Sequence, residues 1–594
     1  MSDTILSDSN EAVADRRAFR WVILATLGVC GYLLAWSIGS QPMLGDESQH
    51  HRRAFVYYDT GFPQHRVTHD PAYPADGYAT IRYYDSGLWH MGLALLWRAI
   101  GRPSFLVAEV YHLAYFFALA VFSYLTGREL YGRRGGWWAW ALTVTTPMNV
   151  LFGTVFYLEV PVLAFAAAAV YFLVRRRAVL TGIALAGMFL TKASSATVLG
   201  VPLIAANLLK PGSTWPRRIL GTAVLLGVMG LAMAPDIEWR QEHFGKALMF
   251  RDTTVPLAFS LTYPIGLPKQ SAVPLSILNP MVDLQMFGVT GILATLASLG
   301  TAVWLVCRAV WRTFGRWRTS GLRAAVGSLP ETCGTEALVL AVPLLFYVTA
   351  FVVLLHRACD VRYFQPVMIF TAILGGGLLA RRRVLTYQGR GRYHVRAAAW
   401  LLVLAMVGQG LTVPPYTRHR RTAPPEVLKA FAWIRKHTPE RARFLYLETN
   451  LVNLTGRPLI WAAAMPRYLF QVPEREQMRV LYYHGVDYIA IHPTRQTDTF
   501  DPDVEPTAYP KAWVRSLAGR PYLTRVYPEG DLATTDGRFL VYRIDVDRIP
   551  KEWFEGVSPE ASIAAGRTAS RRAPPEPVKT EGAETAEATP RGRK

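Results

Sequence analysis

The sequence predicts an all-α polytopic membrane protein of about eleven transmembrane helices, followed by a C-terminal extracytoplasmic α/β domain. Three observations predict it. Apolar runs of bilayer-spanning length recur up to residue 413. Arginine clusters occupy every second loop between them. After Pro414-Pro415 the runs shorten to strand and amphipathic-helix length. The 594 residues are 51% hydrophobic and 18% charged, with mean hydropathy +0.17, a balance that suits a multi-pass protein carrying a soluble part.

The expected spans lie near 19–39, 104–126, 137–155, 157–174, 178–192, 195–209, 219–235, 284–307, 337–355, 362–380 and 397–413. The fifth and sixth are short for a bilayer and require tilt or a break. The first is too long for the apolar region of a cleavable signal. Arg16, Arg17 and Arg20 precede it, so residues 1–18 are expected in the cytoplasm. The cytoplasmic loops then carry Arg128/Arg133/Arg134, Arg175/Arg176/Arg177, Lys210/Arg217/Arg218, Arg308/Arg312/Arg316/Arg318/Arg323 and Arg381/Arg382/Arg383/Arg390/Arg392/Arg396. A missed or invented helix would break that alternation. It assigns the first loop (40–103), the loop at 236–283 and everything after Pro414 to the extracytoplasmic side. Two short turns join them there, at Tyr157–Glu159 and at His356–Arg362.

The formal charge of +21 raises nucleic acid as a partner. The Arg distribution excludes it, because topology accounts for short clusters between apolar segments; the expected partner is membrane lipid. None of the four cysteines lies beyond Cys359, so the C-terminal region holds no internal disulfide.

The first loop is more than a linker. Residues 46–60 suit a helix along the interface, with His50, Arg52 and Arg53 wet and Ala54, Phe55 and Tyr58 dipping into the membrane. Residues 86–101 read as a second interfacial helix, stopped by Gly101-Arg102-Pro103. Beyond Pro414, helices are expected at Val427–His437 and Gln477–His484. Strands are expected at Arg443–Glu448, Val486–His492 and Phe539–Ile544. These place an α/β domain over 414–555. Residues 556–594 are rich in Pro, Glu, Ala, Thr and Arg, too poor in apolar residues to pack, and are expected to be disordered.

Asp46-Glu47 follows the first span almost immediately. Adjacent acids beside the headgroups are functional candidates by default, and the same pair also suits the start of a solvated loop. Three further features share its side of the membrane: Phe156-Tyr157-Leu158-Glu159-Val160-Pro161 opening the fourth span, Leu190-Thr191-Lys192 at a helix end, and Arg362-Tyr363 starting the tenth.

Together, in this order and on one face, these features resemble the GT-C glycosyltransferases, multi-spanning enzymes that use a polyprenyl-phosphate sugar as donor. The resemblance covers about residues 15–550, including the WIRKHTP and HGVDYIAIH phrases of the C-terminal domain. The spacing Asp46-Glu47-Xaa-Xaa-His50 resembles the lipid-linked-oligosaccharide glucosyltransferase branch. The protein-O-mannosyltransferase and aminoarabinose-transferase branches usually lack that histidine, so the branch, and with it the substrate, stays open.

The resemblance implies inverting transfer of the sugar to an acceptor hydroxyl at the extracytoplasmic face. Asp46 is implied as the base that takes the hydroxyl proton, with Glu47 positioning it or exchanging roles with it. The leaving phosphate needs fixed cations. Lys192, Arg240, Lys246, Arg251, Lys269, Arg357 and Arg362 are available, and Lys192 and Arg362 suit best because both sit at helix ends. His50, Glu159, Arg251 and Lys269 complete the candidate substrate site. No cofactor and no metal are implied.

Each residue also has a plainer role. Lys192 can snorkel from a helix end, Arg362 can pair with Asp360, and Glu159 suits a helix N-terminus. His50 and His51 can be solvated. Asp501-Pro502-Asp503 and Asp545-Val546-Asp547 mimic a nucleotide-sugar metal motif without the sheet that motif requires, and are read as accidental. The competing reading is a transporter or lipid flippase, against which stand the lack of inverted halves and the clustering of acids at one face. A third is an assembly protein without catalysis.

Overall fold

The structure, a computed structural model, describes residues 2–40, 45–60, 87–244, 284–350, 365–382, 388, 392–447, 450–457, 459–461, 469–470, 472–483, 485–498, 508–529 and 538–555. The expected tail at 556–594 lies outside these residues, as does most of the loop at 236–283.

The first helix, α1, runs Ser2–Ser37, with its apolar part at Asp15–Ser37. Helices α2 (Gly45–Thr60) and α3 (Leu88–Ala99) occupy the first loop. At 16 and 12 residues they are too short to span. Helix α4 covers Phe105–Thr145 and reverses at Gly132, whose φ of 74° a side chain would disfavour. A Cβ on Gly136 would lie 2.9 Å from the Tyr124 carbonyl oxygen, so the limbs before and after Gly132 pack against each other as a hairpin. Its second limb and α5 (Pro147–Thr154) together make the expected span at 137–155. The axis then bends by 116° into α6 (Glu159–Val174).

Helices α7 (Ala178–Thr191) and α8 (Ala193–Leu208) are separated by a single extended residue, Lys192. They are followed by α9 (Trp215–Phe244) and α10 (Leu284–Gly327). Next come α11 (Leu329–Glu336), a π-helical turn at Ala337–Ala341, and α12 (Val342–Thr349). Helices α13 (Val367–Arg382) and α14 (Arg392–Arg420) complete the bundle. Among the described residues, five helices are long and apolar enough to cross a membrane, or six if the bent α5–α6 pair is one span. Four shorter apolar helices lie at Ala178–Thr191, Ser195–Leu208, Gly334–Thr349 and Val367–Arg381. Every expected apolar run contributes to a helix, but the count of eleven is not reached by length alone. The chain is a multi-pass membrane protein.

Small residues set the packing at the centre. Helix α6 is apolar nearly all round, with Val160, Leu163, Ala166, Ala167, Ala169 and Val170 buried, as expected of a helix enclosed by others. Gly376 of α13 brings that helix onto α4, where an added Cβ would meet the Ala139 backbone nitrogen at 2.6 Å. The basic turns meet at one end of the bundle. Arg175 pairs with Glu129 at 3.3 Å and Arg218 with Glu331 at 3.1 Å. Arg176 donates to the Pro211 and Gly212 carbonyls, and Arg381 pairs with Glu336. The turns expected on one membrane face are therefore neighbours in space.

The C-terminal part holds a five-stranded sheet. Its strands are β1 (Phe444–Tyr446), β2 (Leu459–Trp461), β3 (Tyr488–Ile491), β6 (Leu523–Tyr527) and β7 (Leu540–Ile544), in the order β2-β1-β3-β7-β6. Strands β2, β1 and β3 are parallel, and β7 and β6 add antiparallel. Two dipeptides, β4 (Gln496–Thr497) and β5 (Tyr509–Pro510), pair separately. The helix Pro425–His437 buries Val427, Ala430, Phe431 and Ile434, at the spacing of one helix face, in a core with Phe444, Tyr446 and Val541. A helix at Glu474–Tyr483 covers the core of Met478, Leu481, Ile489 and Tyr542. Sequence reading therefore located two helices and three strands here and missed the helices Asn450–Thr455 and Lys511–Leu517, the β4–β5 pair, and the sheet strands β2 and β6. Strand β2 is three residues long, and β6 is an edge strand whose Thr524 and Arg525 spoil an apolar signal.

Candidate functional site

The site is built at the end of the bundle away from the basic turns. Helix α2 presents Glu47, His50, His51, Ala54 and Tyr57 inward, spaced three or four apart on one face. They meet Trp89, Leu93 and Trp97 of α3, together with Phe156 and Leu158 from the α5–α6 bend. Arg98 donates to the Tyr57 and Tyr58 carbonyls at 3.2 and 3.0 Å, placing a cation at the C-terminal end of α2. The helix at 46–60 is as expected, but His50 is buried rather than wet. Its Nδ1 lies 3.0 Å from Nε2 of His90, and aromatic rings of Trp89 and Tyr157 surround it. Burial holds His90 well below the usual histidine pKa, with His50 and Arg53 adding to the effect. Among the described residues of this stretch Phe55 is exposed, as expected of a membrane-facing side chain, whereas Ala54 is buried against α3 instead of dipping into the membrane.

Glu47 faces a buried arginine that begins the C-terminal part. Nη2 of Arg421 donates to Oε1 of Glu47 and to Oε1 of Glu109, each at 2.5 Å. All three side chains are buried, and the guanidinium lies over the rings of Phe105 and Phe156, 5.1 and 5.4 Å from their centroids. Burial disfavours the Arg421 charge, and the two carboxylates outweigh that and raise its pKa. Oε1 of Glu47 also accepts a hydrogen bond from the Phe156 backbone N–H at 3.3 Å.

The same bend carries the second charged pair. Glu159 sits in the first turn of α6, and its Oε1 accepts from Nζ of Lys192 at 2.5 Å. Lys192 interrupts the helix with φ −154° and ψ 95°, so α7 ends and α8 begins at the ammonium-bearing residue. Glu159 is 3% and Lys192 13% exposed, so the pair is shielded from bulk water. Among the described residues, Oε2 of Glu159 has no hydrogen-bond partner.

The structure thus brings Glu47, His50, Glu159 and Lys192 around the Phe156–Glu159 bend. Asp46 lies in the first turn of α2, and its side chain is outside the described residues. Arg251, Lys269 and Arg362 fall outside them altogether, as does Asp501-Pro502-Asp503. Asp545 of the other acidic motif pairs with Arg548 at 3.1 Å, at the end of the sheet. Among the described residues no three His, Cys, Asp or Glu side chains converge on a metal position. Sequence reading missed Glu109, His90 and Arg421. A signal existed for Glu109, a lone acid inside an apolar run. Arg421 was hidden in the basic cluster Arg418-His419-Arg420-Arg421, which looks interfacial.

No family model and no curated protein matches the sequence. Among solved structures, the chain is similar to ArnT from Cupriavidus metallidurans bound to undecaprenyl phosphate. The TM-score is 0.52 at 14% identity, over 88% of this chain and 97% of that one. The apo state of the same protein gives 0.51 and 15%, over 89% and 98%. The fold is GT-C-like.

Proposed function

We propose that this protein is a glycosyltransferase that moves a sugar from a polyprenyl-phosphate carrier to an acceptor hydroxyl with inversion, at the extracytoplasmic face of a cell-envelope membrane. The observation that carries the reading is the Phe156–Glu159 bend. One bend supplies a backbone N–H to Glu47 of the acidic pair and a carboxylate to Lys192. The turn that bears Asp46, the proposed base, and the cation proposed for the leaving phosphate are thereby tied to a single bend.

In this reading Asp46 takes the proton from the acceptor hydroxyl as its oxygen attacks the anomeric carbon from the face opposite the phosphate. Glu47, engaged by Arg421, holds the turn that carries Asp46. Lys192 offers an ammonium to the phosphate oxygen on which charge develops as the glycosidic bond breaks. An ammonium has three N–H donors, and Glu159 orients one of them. Arg362, Arg251 and Lys269 are the further cations proposed for donor binding, and His50 lies near enough to the pair on α2 to line the acceptor side. The undecaprenyl phosphate held by ArnT is the chemical class of carrier we propose here.

The test is direct. Membranes containing the protein are given radiolabelled polyprenyl-phosphate hexoses and pentoses, with the native envelope fraction as acceptor. Transfer of label that depends on the protein is expected. Movement of the intact lipid between leaflets without sugar transfer would replace this reading with that of a flippase.

A further inference from the structure

Arg421 stands where two parts of the molecule join. It follows α14 directly, its N–H donates to the Thr417 carbonyl at 2.9 Å, and the core of the C-terminal sheet region begins two residues later with Ala423. Its side chain turns back into the bundle, 1% exposed, between Phe105 at the start of α4 and Phe156 of the bend. A single nitrogen, Nη2, meets both Glu47 and Glu109. Two buried carboxylates so close repel one another unless the cation stays between them. Arg421 therefore determines where Glu47 can lie, and through it the first turn of α2. The C-terminal part holds α2 a second time, since the helix Asn450–Thr455 packs against it.

We propose that Arg421 is a positioning residue for sugar transfer, fixing the Asp46-bearing turn of α2 against α4 and the Phe156 bend, and so making the geometry of the site depend on docking of the C-terminal region. This rests on the glycosyl-transfer reading above. Arg421 itself touches neither substrate. Its planar guanidinium is stacked as well as paired, so lysine retains the charge but not the ring contacts or the fork.

The full-length chain in nanodiscs, assayed with radiolabelled polyprenyl-phosphate sugar and the native envelope fraction, tests it. Arg421→Gln is expected to lower kcat about 100-fold, the scale of a misplacement near 1 Å, with the donor KM unchanged. Arg421→Lys is expected to recover part of that loss. Arg421→Gln also leaves the carboxylates facing each other and lowers the melting temperature. The double variant Arg421→Gln/Glu109→Gln removes the repulsion, and is expected to recover the melting temperature while kcat stays low, because Glu47 has lost its contact with the guanidinium. Wild-type kcat in Arg421→Gln overturns the proposal, and so does recovery of kcat along with stability in the double variant, which would reduce Arg421 to charge balance. A double variant that fails to fold counts equally against it, because the role would then be structural. Absence of transfer by the wild-type protein would instead refute the glycosyl-transfer reading.

Discussion

Replacing Lys192 by Met removes the ammonium from the Glu159 pair while keeping most of the side chain's length. The partner left behind is a carboxylate only 3% exposed, with its second oxygen already without a partner among the described residues. Breaking a buried pair from one side costs about 3–5 kcal/mol, because the remaining charge stays desolvated. Removing both charges is close to neutral by the same principle. The prediction is therefore a pattern across three variants: Lys192→Met lowers the melting temperature clearly, Glu159→Gln lowers it less, and the double variant returns near the wild type. Glutamine is expected to be milder because it can still accept from the ammonium. Initial rates with radiolabelled donor provide the second readout. Loss of the phosphate's counter-charge raises the donor KM and leaves the acceptor KM in place. An unchanged melting temperature in Lys192→Met would refute the buried pair, and an unchanged donor KM would remove Lys192 from the phosphate site.

Two further outcomes follow from charge placement. Burial, with His50 and Arg53 adding to the effect, holds His90 well below the usual histidine pKa, whereas an unfolded histidine takes a proton at about pH 6.5. The unfolded state then binds more protons, so the stability present above about pH 6.5 is lost progressively as pH falls below that value toward the depressed pKa of the folded state. Melting scans at about pH 7.5 and 5.5 should show this, and His90→Gln should flatten it; an equal slope in the variant would move the cause elsewhere. Separately, a reporter fused near Gly556 should be active only on the extracytoplasmic side, since α1 carries Arg16, Arg17 and Arg20 at the start of its apolar part and the later basic turns meet at one end of the bundle. Cytoplasmic activity there would invert the topology.

Local pattern made much of this molecule legible. Apolar runs located the helices because spanning length is a property of contiguous residues. The alternation of arginines grouped turns that the structure shows as neighbours, Glu129 with Arg175 and Arg218 with Glu331. The helix at 46–60 and the Phe156–Glu159 turn were readable for the same reason. What was not readable is pairing over distance. Glu47 and Arg421 are 374 positions apart, and no periodicity links them. Nor could composition show that His50 faces inward. An amphipathic helix carrying His50, Arg52 and Arg53 looks wet on that side, yet α3 supplies His90 and two tryptophans to enclose His50 and its neighbours. The count of eleven is not reached by helix length for a physical reason as well. Helix α7 has 14 residues and α8 begins at a break, so spans inside the bundle need not have bilayer length.

The central claim, that the acidic pair of α2 performs base-assisted sugar transfer, is tested most directly by the single-turnover rate of Asp46→Asn, with donor binding measured on the same preparation. Asparagine keeps the size of aspartate and removes its basicity, and loss of a general base costs about 10²–10⁴-fold in rate. The account predicts a loss on that scale with normal donor affinity and an unchanged melting temperature. Glu47→Gln is predicted to slow transfer less and to destabilise more, because Glu47 is held by Arg421. A wild-type transfer rate in Asp46→Asn, with Glu47→Gln inactive, would place the base on Glu47. Wild-type rates in both would contradict the mechanism and leave the GT-C-like likeness a matter of fold.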